Sequence, residues 1–181
     1  MLRIECLRAV GDPTFAPAMA LYAASFPEHE QRLEPSQHRI MTHEQYHFGL
    51  LCDEQGFAGL ALYWDAGMYL YVEHLCIVPE RHGQGLGTAG TAALDLLAET
   101  GKPIILEIDP PVDAISRRRQ AFYERAGFIA NPYPHIHSPY RSGKCGHALV
   151  VMSRPKALNK AEYAVFAAYL SDVVMKDCMK L

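Results

Sequence analysis

The chain has 181 residues, half of them hydrophobic and a fifth charged, which suits one domain built around a sizeable core. A formal net charge of −3 argues against broad binding to nucleic-acid phosphates, so any basic site must be local. No apolar run reaches the ~18–20 residues of a membrane span; the N-terminal segment lacks the apolar stretch of a secretory signal, and the five scattered cysteines show no CxxC spacing, so the expectation is a cytoplasmic protein with reduced thiols and no metal.

Leu2 to Val10 alternates as a first strand, and Gly11-Asp12-Pro13 breaks it. Asp12 and Pro13 suit the start of a helix running to about Ala24. A polar loop, Ser25 to Pro35, leads into a short helix from about Ser36 to Gln45. Three strand-like runs follow: Tyr46 to Cys52, Phe57 to Trp64 and Met68 to Val78. Short turns separate them, which implies an antiparallel meander.

Pro79 to Gly87 is glycine-rich, and Thr88 to Thr100 has helical periodicity ending at Gly101-Lys102-Pro103. Ile104 to Ile108 reads as a buried strand, Ser116 to Ala126 as a helix with Gly127 after it, and Phe128 as the start of a short strand. Asn131 to Gly146 has no periodicity. Ala148 to Met152 is the last strand, and Leu158 to Met179 is an amphipathic helix closing a single domain over residues 1–181. The order β-α-α-β-β-β-α-β-α-β-β-α predicts a mixed α+β fold.

Two segments carry chemistry. In Leu75-Cys76-Ile77-Val78-Pro79-Glu80-Arg81-His82-Gly83-Gln84-Gly85-Leu86-Gly87-Thr88 a strand feeds a loop with three glycines that opens a helix. Such a loop lets backbone N–H groups and a helix N-terminus approach an anion such as a pyrophosphate. No Gly-Lys-Ser/Thr follows, so it is not a P-loop, and the preceding meander is not the βαβ opening of a dinucleotide fold. One strand and one helix later comes Phe122-Tyr123-Glu124-Arg125-Ala126-Gly127-Phe128. There Tyr123 offers a phenol that can donate a proton to a leaving group, while the phenylalanines suit a core.

Together and in this order, the two segments resemble the GNAT superfamily of acyl-CoA-dependent N-acyltransferases, over roughly residues 46 to 154. The resemblance implies a mixed, mostly antiparallel sheet of about seven strands flanked by helices, with a splayed parallel pair at a coenzyme A cleft. It implies transfer of an acetyl (acyl) group from acetyl-CoA to a primary amine of a small molecule or peptide. The backbone of Leu75, Cys76 and Ile77 would hold the pantetheine arm, and His82, Gly83, Gln84, Gly85, Leu86, Gly87 and Thr88 the pyrophosphate. Tyr123 would protonate the departing thiolate. Dimers are common among such proteins, so a homodimer is one expected state.

The chain departs from the pattern at two positions. The family's loop usually has Gln or Arg where this chain has His82, with Arg81 beside it to supply charge. An asparagine that commonly lies seven residues before the tyrosine is here Ser116. These departures keep a second reading open, a non-catalytic acyl-CoA-binding or regulatory protein on the same fold. Arg117, Arg118 and Arg119 are either contacts to the 3′-phosphate or a solvated helix face.

An amine attacks only when neutral, so a base is useful. Glu73 in Tyr71-Val72-Glu73-His74-Leu75 and Glu107 in Leu106-Glu107-Ile108 are carboxylates inside apolar strands, costly unless paired or lining a cavity. Either is a candidate base; an ion pair or an exposed face is the alternative. Alternation directs His74 away from Glu73. Cys76 is a conceivable nucleophile that direct transfer does not need. The polar aromatic segment holding His135, His137 and Tyr140 suits a wall of an acceptor pocket. Glu28, in the loop between the first two helices, suits either a cationic amine or a plain solvated loop.

Overall fold

The computed structural model describes residues 1–84, 86–176 and 178; for 82–84 and 86–88 it describes the backbone course alone. The elements in chain order are β1 (Arg3–Leu7), α1 (Phe15–Ser25), α2 (Glu34–Ile40), β2 (Tyr46–Asp53), β3 (Gly56–Asp65), β4 (Leu70–Ile77), α3 (Leu86–Ala98), β5 (Ile104–Ile108), α4 (Ala114–Arg125), β6 (Ile129–Ala130), β7 (Ile136–His137), β8 (His147–Ala148), β9 (Val150–Arg154) and α5 (Lys160–Tyr169). A single 3₁₀ turn lies at Glu28–Glu30 and a longer 3₁₀ stretch at Pro79–Gln84.

Seven strands form one sheet in the order β1-β2-β3-β4-β5-β9-β6, and β7 with β8 forms a separate two-stranded ribbon. The β2-β3-β4 meander is tied by side chains at its turns: Asp53 Oδ1 accepts from the Gln55 N–H at 2.8 Å and Asp65 Oδ1 from the Gly67 N–H at 2.9 Å. Every neighbouring pair in the sheet is antiparallel except β4 and β5. This is the mixed α+β fold expected from the sequence, with one parallel pair.

Period-2 alternation sorts the strand residues onto two faces. One face carries Phe48, Leu62, Trp64, Tyr71, Ile105 and Val151 against Phe15 and Tyr22 of α1, Ile40 of α2 and Phe166 of α5. The other carries Val72, Ile104, Leu106 and Ile108 against Leu94 and Leu97 of α3, with Phe128 beyond α4. The sheet is thus covered on both sides.

Three sequence expectations shift. The second helix spans Glu34–Ile40 rather than Ser36 to Gln45, because Pro35 fits a first turn, where its missing N–H costs nothing. The stretch 131–149 contains the β7–β8 ribbon. The closing helix starts at Lys160 behind an Asn159–Glu162 capping box and loosens into a π turn, Leu170–Val174, short of Met179. The Met175 N–H bonds the Leu170 carbonyl, and the Val174 carbonyl accepts from Arg32 Nη2 at 2.8 Å. Residues 177 and 179 of the expected helix lie outside the described ones. No described helix is long and apolar enough to cross a membrane.

Candidate active site

β4 and β5 are paired only at Leu70–Ile104, Tyr71–Ile105 and Val72–Leu106. Beyond Val72 the strands part, and the cause is local. Between β3 and β4 the register passes from Leu62–His74 to Tyr63–Val72, so Glu73 is an unopposed bulge residue. A bulge bends its strand and raises the local twist. It also resets the alternation: Tyr71 and Glu73 share the α1/α5 face, and so does His74, which packs edge-on against Tyr22 and Phe26. The expected opposition of Glu73 and His74 therefore does not hold.

The gap opens into a cleft of about 300 Å³. Leu75 and Cys76 line it from β4, Glu107 and Asp109 from the end of β5, Arg119 and Tyr123 from α4. Phe26, Pro27 and Glu30 close it from the α1–α2 loop, and His137, Tyr140 and His147 from the segment around the ribbon. Of the residues singled out in the sequence, Glu73, Glu107, Leu75, Cys76, Tyr123, His137 and Tyr140 converge here. Ile77 turns its side chain to the opposite face, beside Ala58 and Ala93. Glu28 is exposed and ion-paired with Arg141. His135 lies behind the cleft rather than in its lining.

Glu73 is held on both oxygens. Arg32 donates to Oε1 from Nε at 2.9 Å, and Trp64 donates its indole N–H to Oε2 at 2.7 Å. Burial pushes the Glu73 pKa up, but the Arg32 guanidinium, His74 and the Trp64 hydrogen bond together outweigh it, and the net result lies below the ordinary value. Arg32 is itself buried, with its guanidinium 5.8 Å from the Trp64 ring centre and 5.4 Å from that of Tyr140. No sequence signal singled it out, since its partners are 41 and 146 residues away.

Glu107 sits in a second buried network. Its Oε2 accepts from the Tyr71 hydroxyl at 2.5 Å, and its Oε1 is bonded to His135 Nε2. Burial again pushes its pKa up, and the His135 hydrogen bond, the nearby His137 and the Tyr71 hydrogen bond together more than reverse that. His135 Nδ1 meets the Tyr163 hydroxyl at 3.0 Å. His137 is 2 % exposed and bonds the Ser138 carbonyl through Nδ1 at 2.6 Å. A carbonyl only accepts, so Nδ1 carries the proton. In the neutral imidazole this leaves the lone pair on Nε2, which has no hydrogen-bond partner among the described residues and lies 3.7 Å from Glu107 Oε2.

Tyr123 packs its ring edge-on against Phe122 and Phe128, and its hydroxyl has no hydrogen-bond partner among the described residues. Burial raises its pKa, so it stays a phenol. Burial likewise raises that of Cys76, which stays a thiol. Two expected cofactor contacts are occupied elsewhere. The Ser116 hydroxyl is spent in a capping box with Asp113, at 2.9 Å from Oδ1, and Arg81 is bidentate on Asp53 at 2.7 and 3.1 Å. Arg119 lines the cleft but donates to Asp109 at 2.7 Å. Gly85 and the side chains of His82, Gly83, Gln84, Leu86, Gly87 and Thr88 lie outside the described residues.

Comparison with known proteins agrees with this architecture. A protein of Bacteroides thetaiotaomicron assigned to the GNAT family of acetyltransferases superposes with a TM-score of 0.87 at 25% identity, covering 96% of this chain and 98% of that one. The ribosomal-protein-S18-alanine N-acetyltransferase of Escherichia coli shares the fold at a TM-score of 0.54 and 22% identity, over 88% of this chain and 96% of its own. A Salmonella typhimurium protein solved with its cofactor acetyl-CoA does so at 0.53 and 14%, over 88% and 96%. No curated protein sequence matches. The sequence model of the acetyltransferase (GNAT) family matches residues 15–128, which hold the meander, the glycine loop and the Phe-Tyr helix, and the chain belongs to that family.

Proposed function

We propose that this protein transfers an acetyl group from acetyl-CoA directly to a primary amine of a small molecule or peptide. The observation that carries this reading is the parting of β4 from β5 past Val72. Beyond that point β4 is paired with β3 on one side and faces open cleft on the other. Backbone polar groups left there seek a partner. An extended chain with amide groups, such as a pantetheine arm, can add to the exposed edge as a further strand would. Bound acetyl-CoA supplies the activated thioester.

The chain's own residues take three roles in this reading. Leu75 and Cys76 lend their backbone to the arm, and an N–H of this stretch polarises the thioester carbonyl. The Tyr123 phenol gives its proton to the departing thiolate. His137 Nε2 accepts the proton of the attacking amine, and the resulting imidazolium N–H lies against Glu107. Glu73, held by Arg32 and Trp64, shapes the bulge that opens the cleft, and Glu107 takes the supporting carboxylate role. Cys76 stays a thiol and carries no acyl group. The glycine loop after β4 would receive the pyrophosphate.

Calorimetric titration with acetyl-CoA, with ADP as control, tests the cleft. Micromolar-range binding of acetyl-CoA with much weaker ADP binding supports it, and a thiol-release assay over a panel of amines then tests turnover. The diversion of Arg81 and Ser116 favours a second reading, an acyl-CoA-binding protein without catalysis, which predicts binding but no thiol release with any amine.

A further inference from the structure

We propose that His29, Glu30 and His147 form a binding site for a divalent cation of the zinc type at the mouth of the cleft. The α1–α2 loop carries the first two and the β7–β8 ribbon the third, so two segments more than a hundred residues apart are brought together. One ligand atom from each lies within 4.8 Å of the other two. His29 Nε2 is 3.6 Å from Glu30 Oε1, and the His29 and His147 rings meet edge-on at 5.5 Å.

The ribbon is shaped to allow this. A Cβ on Gly146 would lie 2.6 Å from the His137 carbonyl oxygen, so only a residue without a side chain lets the two strands close and set His147 beside His137. The His137 and His147 ring centres are 5.8 Å apart.

None of the three side chains donates or accepts a side-chain hydrogen bond among the described residues, although Glu30 and His147 both line the cleft.

Two imidazoles and a carboxylate suit a borderline cation such as Zn²⁺, which takes three protein ligands and leaves a fourth position open. With bonds of about 2.0–2.1 Å, a tetrahedral ion holds its ligand atoms roughly 3.3 Å apart. Closing on it thus needs movements of up to about 1.5 Å, within the reach of rotamer changes of these side chains.

The test is titration of tag-free protein with ZnCl₂ in a non-chelating buffer. One equivalent is expected to bind in the micromolar range, and His29→Ala, Glu30→Gln and His147→Ala are each expected to weaken binding by about tenfold or more. These side chains are at most partly buried, so melting curves should show each variant folded. His38→Ala, which removes another imidazole beside a carboxylate, should leave the affinity unchanged. Co²⁺ in place of Zn²⁺ should give the visible bands of a four-coordinate site, and these should vanish in His147→Ala. Equal affinity in wild type and all three variants would overturn the proposal, as would no binding up to about 1 mM.

Discussion

Glu73 and Arg32 form a buried ion pair, 2.8 Å from Nη2 to Oε1, with each side chain 1% exposed. Because Arg32 also donates to the Val174 carbonyl at 2.8 Å, and its Nη1 reaches Cys178 Sγ at 2.7 Å, one guanidinium ties the bulge of β4 to the C-terminal segment. Removing one member of such a pair leaves the other charge buried without compensation, at a cost of about 3–5 kcal/mol. Glu73→Gln should therefore lower the melting temperature by roughly 6–20 °C in a chain of this size. Joint replacement of Arg32 and Glu73 by methionine should recover much of that loss. Calorimetric melts of the three proteins decide it; a fall under about 2 °C in Glu73→Gln would mean the pair is solvated.

Tyr123→Phe removes one hydroxyl that has no hydrogen-bond partner among the described residues, so stability should hold. If the phenol protonates the leaving thiolate, kcat should fall about 10²-fold or more, with acetyl-CoA affinity unchanged. Steady-state kinetics beside calorimetric binding separates the two. Unchanged kcat would remove Tyr123 from the chemistry.

His137→Ala should lower kcat by about 10²-fold and leave acetyl-CoA binding intact. Added imidazole should restore part of the rate, because the cavity left behind faces the cleft. Glu107→Gln should be less selective. It also disturbs Tyr71 and His135, so both kcat and the melting temperature should drop. Loss of activity in His137→Ala without imidazole rescue, and with a lowered melting temperature, would assign His137 to the framework.

Stability should depend on pH in two steps. Burial holds the His74 pKa below its ordinary value of 6.5, and His147 is shifted in the same direction. Below pH 6.5 the unfolded chain takes up protons that the folded one resists, so stability is full above that value and declines as pH falls. Glu73 and Glu107 lie below their ordinary value of 4.5 and give a second decline under it. Glu30 works above that window: its raised pKa lets the folded chain take up a proton first as pH falls toward 4.5, which offsets part of the upper decline. Melting temperatures from pH 8 to 4 should show both steps, and His74→Phe should flatten the upper one.

The strands were legible because their apolar patterns are long and their turns polar; Ile104–Ile108 agrees residue for residue with its sequence reading. The Glu107 carboxylate was legible for the same reason, as a charge inside an apolar run. The face of His74 was not. Alternation assumes an unbroken ladder, and the bulge at Glu73 shifts every later residue by one. The β7–β8 ribbon was also hidden, since strands of two residues have no period to detect. Arg32 and His147 take their places from contacts with segments remote in sequence, which no local pattern reports.

The three residue pairs that join β4 to β5 leave the sheet as two plates, β1 to β4 and β5-β9-β6, sharing a short seam. In mechanical terms the ligand-free protein has two inner rims as well as two outer ones, and the inner rims are where amide hydrogens should exchange fastest within the core strands. A chain that fills the gap acts as a dowel. It should slow exchange on both plates together, at Glu73–Cys76 and at Glu107–Ile108, although these stretches belong to different strands. On the proposed function, rigidity of the central sheet would then be a property the protein acquires with its ligand and gives up with its product.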